Sequence, residues 1–273
     1  MPKIYLRLVV FLSVLLFAAV SMAQNQLLIE GTGDSQQLLR ELAKGFEASN
    51  PGTRIIIPDS IGSSGGVKSL VKGQCDMARI ARPLKEKEIA LAGDLSYREF
   101  ALSPVVFAAS LNEACVDSLN SEQVIGIFSG AISDWSALGN CQAHPIYVAM
   151  REAGDSSRTA LEKKVPGFKE IATFAGREIF STPETIETIA EYPGTIGFLP
   201  QGHGNLNIHN FSYNGVSPSA ANVRDGSYPL TTPFALVWKG TLPDLAARFL
   251  DYIASPEGQK TIVAVGGVPV SPK

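Results

Sequence analysis

The sequence predicts an α/β protein of two lobes, each a mixed sheet flanked by helices. Three observations predict it. Short apolar runs alternate with Gly/Ser turns and amphipathic stretches along the chain, the pattern of strands feeding helices. Two longer apolar runs, 100–111 (broken by Pro104) and 228–238, read as strands that cross from one lobe to the other. Finally, 273 residues at 45% hydrophobic and 18% charged can bury a sizeable core, in roughly two domains of about 100–150 residues. That composition excludes a collagen, a coiled coil, a disordered tail and a disulfide mini-protein. The formal charge of −3 offers no basic field for nucleic acid, so any anion site must be built locally.

Taken in order, Leu27-Leu28-Ile29 is a first strand, and Gly31-Thr32-Gly33-Asp34-Ser35 leads into a helix with Leu38, Leu39, Leu42 and Phe46 on one face. Asn50-Pro51-Gly52 ends that helix and Arg54-Ile55-Ile56-Ile57 is the second strand. Gly62-Ser63-Ser64-Gly65-Gly66 opens a short helix with Val67, Leu70 and Val71 inward and Gly73 at its end. Residues 77–80 read as a third strand. A helix over 121–128 carries the capping pattern Asn120 and Gln123. Residues 145–149 and 196–199 are further strands, the first followed by Arg151-Glu152-Ala153-Gly154-Asp155-Ser156-Ser157-Arg158 and a helix. Leu245, Phe249, Leu250 and Ile253 mark a late helix, and Ser255-Pro256-Glu257-Gly258 reads as a turn after it. The runs Lys85-Glu86-Lys87-Glu88 and Glu162-Lys163-Lys164 read as solvated helix faces. The lobe boundaries implied are 24–102 and 231–273 for the first lobe and 103–230 for the second.

Residues 1–23 stand apart. Lys3 and Arg7 precede the apolar run 8–20, and Ser21-Met22-Ala23 supplies small residues before polar Gln24, as in a secretory signal peptide. A membrane anchor is the alternative, but no basic stop-transfer cluster follows, and no Cys follows closely enough for a bacterial lipid anchor. Cleavage after Ala23 removes two of the 23 basic residues, leaving 21 against 26 acidic, a charge of −5. Three cysteines in an exported chain allow one internal pair. Cys115 and Cys141 lie in polar, turn-like surroundings suited to a disulfide, while Cys75, just before Met77-Ala78, reads as a small buried thiol. There is no CxxC and no metal-ligand spacing, so neither a metal nor a cofactor is expected.

The chemistry-bearing positions are three strand-to-helix junctions: residues 31–35, 62–66 and 154–157. Helix N-termini present unpaired N–H donors and a positive dipole end, hydroxyls add donors, and Gly lets an oxyanion approach the backbone. Ordinary N-capping explains any one of them. Three together, with Arg82 and Arg151 nearby in sequence, point to a tetrahedral oxyanion site.

Ile61-Gly62-Ser63-Ser64-Gly65-Gly66-Val67, Gly73, Asp76 and Arg82-Pro83-Leu84 resemble the first lobe of the phosphate-binding proteins of phosphate ABC transporters. Residues 119–139, including Ile127-Phe128-Ser129-Gly130 and Asp134-Trp135, are similar to that family's second lobe, and Pro193-Gly194-Thr195-Ile196-Gly197-Phe198 and Ser255-Pro256-Glu257-Gly258 also match. The resemblance covers nearly all of residues 26–265. It implies a type II periplasmic solute-binding fold closing around a dehydrated anion, with no cofactor and no catalysis. Phosphate or a related oxyanion is the implied ligand, and a membrane permease of an ABC transporter, or a membrane sensor, the implied partner. The implied ligand set is Ser35, Ser63, Ser64, Arg82, Arg151, Asp155, Ser156 and Ser157. Ser35 matches a helix-opening Thr, Arg151 the anion-pairing Arg, and Ser156-Ser157 the end of a Ser-Gly-Thr turn whose first Ser is replaced by Asp155. The family's proton-accepting carboxylate falls at Ala81, with Arg82 after it. Asp155 reads either as a helix N-cap or as the replacement for that missing acceptor.

Other readings attach to the same residues. Gly62-Ser63-Ser64-Gly65-Gly66 also satisfies G-x-S-x-G, which would make Ser64 a hydrolase nucleophile with His203 or His209 as base. Ligand-driven lobe closure would equally serve an anion sensor. Phe128, Trp135 and Tyr147 read as core packing rather than a carbohydrate platform.

Overall fold

The computed structural model describes residues 25–111, 115–202 and 208–270; the predicted signal peptide and His203 lie outside them. The first half opens with β1 (Gln26–Gly31), α1 (Gln36–Ser49), β2 (Arg54–Ile56), α2 (Gly62–Val71), β3 (Met77–Ile80) and α3 (Glu86–Leu91). Strand β1 pairs in parallel with both β2 and β3, as helix-linked strands must. Chain reversal at the end of β1 depends on Gly31, whose φ is +141° and where a Cβ would stand 2.0 Å from the Arg79 carbonyl oxygen.

The long strand β4 (Leu95–Ala109) then carries the chain across. Its first ten residues pair antiparallel with β10 (Thr231–Lys239), and Val105 onward pairs with β8 (Thr195–Pro200). Pro104 sits where the partner strand changes, the place where a missing N–H disturbs the ladder least. The second half contains β5 (Ser118–Leu119), α4 (Ser121–Ser129), β6 (Tyr147–Arg151), α5 (Ser156–Lys164), β7 (Arg177–Ile179), α6 (Thr182–Glu191), β8, β9 (His209–Tyr213) and α7 (Ala220–Arg224). Here β6 runs parallel to β7 and β8. After β10 come α8 (Asp244–Ala254), α9 (Pro256–Ala264) and β11 (Val268–Pro269). The strand order β2-β1-β3-β10-β4-β8-β6-β7 therefore has a parallel trio at each end and two antiparallel strands joining them.

Each half has its own apolar core. In the first, the predicted face of α1 (Leu38, Leu39, Leu42, Phe46) packs on α8, with the Phe46 and Phe249 rings 5.4 Å apart. In the second, Phe107, Phe128, Phe168, Phe198 and Trp135 are buried together. Each such ring contributes roughly 1.5–3 kcal/mol by leaving water. Phe128 and Trp135 are thus core residues, and of the three aromatics weighed as a platform Tyr147 is the exposed one. Trp135 also donates from its indole nitrogen to the Gly194 carbonyl at 3.0 Å, joining two of the sequence motifs quoted above. Along β4, Phe100 and Ala101 belong to the first core and Val105 and Phe107 to the second; along the return, Tyr228 and Leu230 belong to the second and Phe234 to the first. Tyr228 donates to the Val105 carbonyl at 2.7 Å and ties the two crossings together. Val268 packs in the second core although the sequence placed its segment with the first lobe.

Two local expectations are corrected. Ser255-Pro256-Glu257-Gly258 is the start of α9, with Ser255 Oγ accepting from the Gly258 amide at 3.2 Å and Pro at N1, a helix opening rather than a free turn. Glu88 is buried rather than solvated, because Arg82 claims it. The capping box of α4 forms as read, Asn120 and Gln123 exchanging side-chain-to-amide bonds of 2.8 and 2.9 Å. Cys115 and Cys141 are disulfide-bonded, and Cys75 is a buried free thiol whose pKa is raised by that burial.

Candidate functional site

Four helix N-termini converge between the halves. Ser35 precedes α1, Ser63 lies in the first turn of α2, Ser156 and Ser157 open α5, and Thr182 opens α6. Each follows a strand of one of the parallel trios, so the two sheets aim their helix starts at one place. Ser63 Oγ and Ser156 Oγ meet at 3.3 Å across the cleft. Gly33 packs closely here: a Cβ there would lie 3.3 Å from Pro183 of α6 and 3.2 Å from Ser60, tighter than ordinary contact. Positive dipole ends and unfilled N–H groups face a common centre.

The charged groups at this centre are Arg151, at the end of β6, and the carboxylates of Asp34 and Asp155. Arg151 donates to Asp155 Oδ2 at 2.7 Å and to Thr182 Oγ1 at 2.9 Å, and stands 4.0 Å from Asp34 Oδ1. Asp34 bridges the halves, accepting from Thr182 Oγ1 at 2.5 Å and Ser157 Oγ at 3.4 Å. All three charged side chains are buried. Burial first, and the neighbouring Asp155 charge second, push the Asp34 carboxyl up to about 6, against the opposing pull of Arg151 and the two hydroxyls. Among the described residues four buried side-chain polar atoms have no partner, and two of them, Arg151 Nε and Ser35 Oγ, belong to this centre, the others being His209 Nε2 and Thr232 Oγ1. An unmade buried hydrogen bond costs about 1–3 kcal/mol, so each is an open valence for a bound group. Beside this centre, a cavity of about 500 Å³ between α1 and α6 shares Asp34 and Thr182 with it.

Of the residues expected from sequence, the structure brings together Ser63, Ser156, Ser157, Arg151 and Asp155, with the unpartnered Ser35 at the head of α1. Asp155 has both oxygens engaged, one by Arg151 and one as a cap on the Arg158 amide at 3.0 Å. Ser64 and Arg82 form a group of their own. Arg82 is held by Glu88 at 2.7 Å and donates to Ser64 Oγ at 3.0 Å, with Lys85 3.5 Å from the same oxygen. Burial opposes ionisation of Glu88, but the bonds from Arg82 and the Lys85 amide outweigh it and hold the carboxyl below its ordinary value. Arg82 is therefore ion-paired with Glu88, and no hydrogen bond among the described residues joins it to the Arg151 centre; Glu88, six residues on, was the available signal for that pairing. The hydrolase geometry is likewise not built among the described residues: Ser64 faces cationic donors, and His209 packs against Phe211 at 4.7 Å between ring centres.

Asp34 and Thr182 were missed. Asp34 was read only as part of a turn, and Thr182, 148 residues away, carried no local mark beyond Ser181-Thr182-Pro183, the signature of a capped helix start. Ser63 also has a second task, accepting from the Ala81 amide at 3.2 Å.

Known proteins are similar to this chain in sequence and in fold. A family described as the PBP superfamily domain matches residues 18–257. The phosphate-binding protein PstS of Bacillus subtilis is 30% identical over 252 residues, covering 91% of this chain and 82% of its own. A substrate-binding protein assigned to a phosphate ABC transporter of Clostridium perfringens, solved with bound phosphate, superposes with a TM-score of 0.80 at 27% identity, covering 90% of this chain and all of its own. An ABC-type phosphate transport receptor from Vibrio cholerae shares the fold, with a TM-score of 0.64 at 22% identity over 89% of this chain and 99% of its own. With two α/β halves closed over converging helix N-termini, and with these likenesses in sequence and structure, the chain belongs to the PBP superfamily, in the family of the phosphate-binding protein PstS.

Proposed function

We propose that this protein captures phosphate between its two lobes and delivers it to the membrane permease of an ABC transporter. The observation that carries the reading is the pair of buried, unpartnered atoms, Ser35 Oγ and Arg151 Nε, at a centre ringed by four helix N-termini. A tetrahedral anion supplies acceptors in several directions at once, which is what such a centre lacks. The lobes are taken as 24–102 with 231–273, and 103–230. The ligand set is Ser35, Ser63, Arg151, Ser156 and Ser157, joined by Thr182, with Asp34 as the acid–base partner. Phosphate near neutral pH keeps a proton, and Asp34, pushed up to about 6, can accept a bond from it or share it. Asp155 orients Arg151 and caps α5. The protein acts by binding, without catalysis. Removal of residues 1–23 on export places it in the periplasm, an oxidising compartment in keeping with Cys115–Cys141.

A thermal-shift panel of phosphate, arsenate, sulfate, molybdate and small carboxylates tests the reading. A ligand at about 100 times its dissociation constant stabilises the native state by roughly 2.7 kcal/mol. Phosphate is expected to raise Tm most. If none of the oxyanions raises it, the reading fails.

A further inference from the structure

We propose that the cavity between α1 and α6 is a second compartment of the anion site, so that the protein also takes phosphate monoesters of small polyols, with the phosphoryl group on Arg151 and the polyol in the cavity. The inference rests on the phosphate reading above. At about 500 Å³ the cavity is in the range of small-molecule pockets and far larger than one phosphate needs. It adjoins the anion centre. Asp34 and Thr182 belong to both, and Ile186, one helical turn beyond Thr182, continues the same wall. Gln36 and Gln37 at the start of α1 form the facing wall, and Ser103 of β4 and Phe234 of β10 contribute from the strands that join the halves.

The lining selects the occupant. Thr232 is 2% exposed, and its Oγ1 has no partner among the described residues. It stands two residues before Phe234 on β10 and pairs in register with Ser103, so the three side chains share one face of the sheet, the face that lines the cavity. Ser103 is 1% exposed, and its hydroxyl donates to the adjacent Pro104 carbonyl at 3.3 Å, a bond that uses its proton and not its lone pairs. Two buried hydroxyls with capacity left over, beside the carboxamides of Gln36, Gln37 and Gln201, match a ligand that carries several hydroxyls. The charges argue against a second anion. Asp34, Asp59 and Glu187 line the cavity against Arg40, and Arg40 is paired with Asp59 at 3.1 Å. Carboxylates accept bonds from hydroxyls and repel phosphate, so a neutral polyol is favoured over a diphosphate or a nucleotide. Leu38, Ile186 and Phe234 supply apolar surface for its carbon chain.

The test is calorimetric titration, at one pH, of inorganic phosphate, glycerol 3-phosphate and methyl phosphate, the last having no hydroxyl to place in the cavity. Three proteins are compared: wild type, Ile186→Trp, which fills the cavity, and Thr232→Val, which removes the unpartnered hydroxyl at nearly constant volume. Wild type is expected to bind glycerol 3-phosphate, and phosphate to displace it. Ile186→Trp is expected to weaken glycerol 3-phosphate at least about tenfold while changing phosphate less than about twofold, because the added bulk lies outside the anion centre. Thr232→Val is expected to weaken glycerol 3-phosphate by roughly three- to tenfold, the worth of one hydrogen bond, and to leave phosphate and methyl phosphate unchanged. Wild type that binds phosphate but not glycerol 3-phosphate, or glycerol 3-phosphate that phosphate does not displace, would overturn the proposal. So would a glycerol 3-phosphate affinity unchanged in either variant, or equal losses for phosphate and ester. If Ile186→Trp does not fold, by circular dichroism, Thr232→Val alone decides. Wild type failing to bind phosphate would instead sink the phosphate reading, and this inference with it.

Discussion

Asp34→Asn isolates the most unusual electrostatic feature of the site. In the ligand-free protein the Asp34 carboxyl is raised from 3.8 to about 6, chiefly by burial. Between those values the native state holds a proton that the unfolded state has released, so stability falls as pH rises through that window. Below about 4 both states are protonated and the group contributes nothing; above about 6 the full penalty of ionising a buried carboxyl applies. At about 1.4 kcal/mol per pKa unit the penalty amounts to about 3 kcal/mol. Asparagine has no such titration and can still accept from Thr182 while its amide faces Ser157. The stability of the variant relative to wild type is therefore expected to rise by about 3 kcal/mol between pH 4 and pH 7, roughly 6–12 °C in Tm for a chain of this size. Working with the difference removes the opposite trend from Glu88, whose lowered pKa makes its stabilisation disappear as pH falls. Urea titrations at four pH values, without ligand, measure it. A flat difference, or one that favours wild type at high pH, would refute the reasoning.

Further outcomes follow from the same geometry. Asp34→Asn is expected to narrow the preference for phosphate over sulfate, because sulfate meets a carboxylate with no proton between them while an amide donates to either anion; competition titrations at one pH check this. Arg151→Lys keeps a charge but cannot serve Asp155, Thr182 and an anion together, so calorimetry is expected to show phosphate affinity reduced at least about tenfold with the melting transition retained. Replacing both Cys115 and Cys141 by Ser opens a loop with a sequence separation of 26, and denaturant melts are expected to show a loss of about 3–4 kcal/mol.

Much of the fold was legible because local chemistry and global topology agree. The apolar runs at 77–80 and 196–199 are buried strands, the stripe on α1 is its buried face, and Asn120 and Gln123 cap α4. Pro104 marked the crossing because a residue without an N–H is tolerated where ladders change partner. The site was legible only in part. Hydroxyls and glycines at helix starts leave a local signature, so Ser35, Ser63, Ser156 and Ser157 stood out as candidates, and the structure places them at helix starts around one cleft. Whether an arginine is free or already paired is decided by residues brought in by the fold, as the pairing of Arg82 with Glu88 shows. Asp34 with Thr182, and Arg79 with the carbonyls of Thr32 and Pro58, are long-range pairings in which no single residue advertises its partner.

The central claim is that the centre between the lobes, with its two unpartnered atoms, is a phosphate seat. A crystal structure of the protein grown with phosphate tests it most directly. The account predicts one tetrahedral anion within hydrogen-bond distance of Ser35 Oγ and Arg151 Nε, also touched by Ser63 and Ser157 and with an oxygen facing Asp34. Phosphate bound elsewhere, or an anion in the cleft that leaves Ser35 Oγ and Arg151 Nε without a partner, would contradict it.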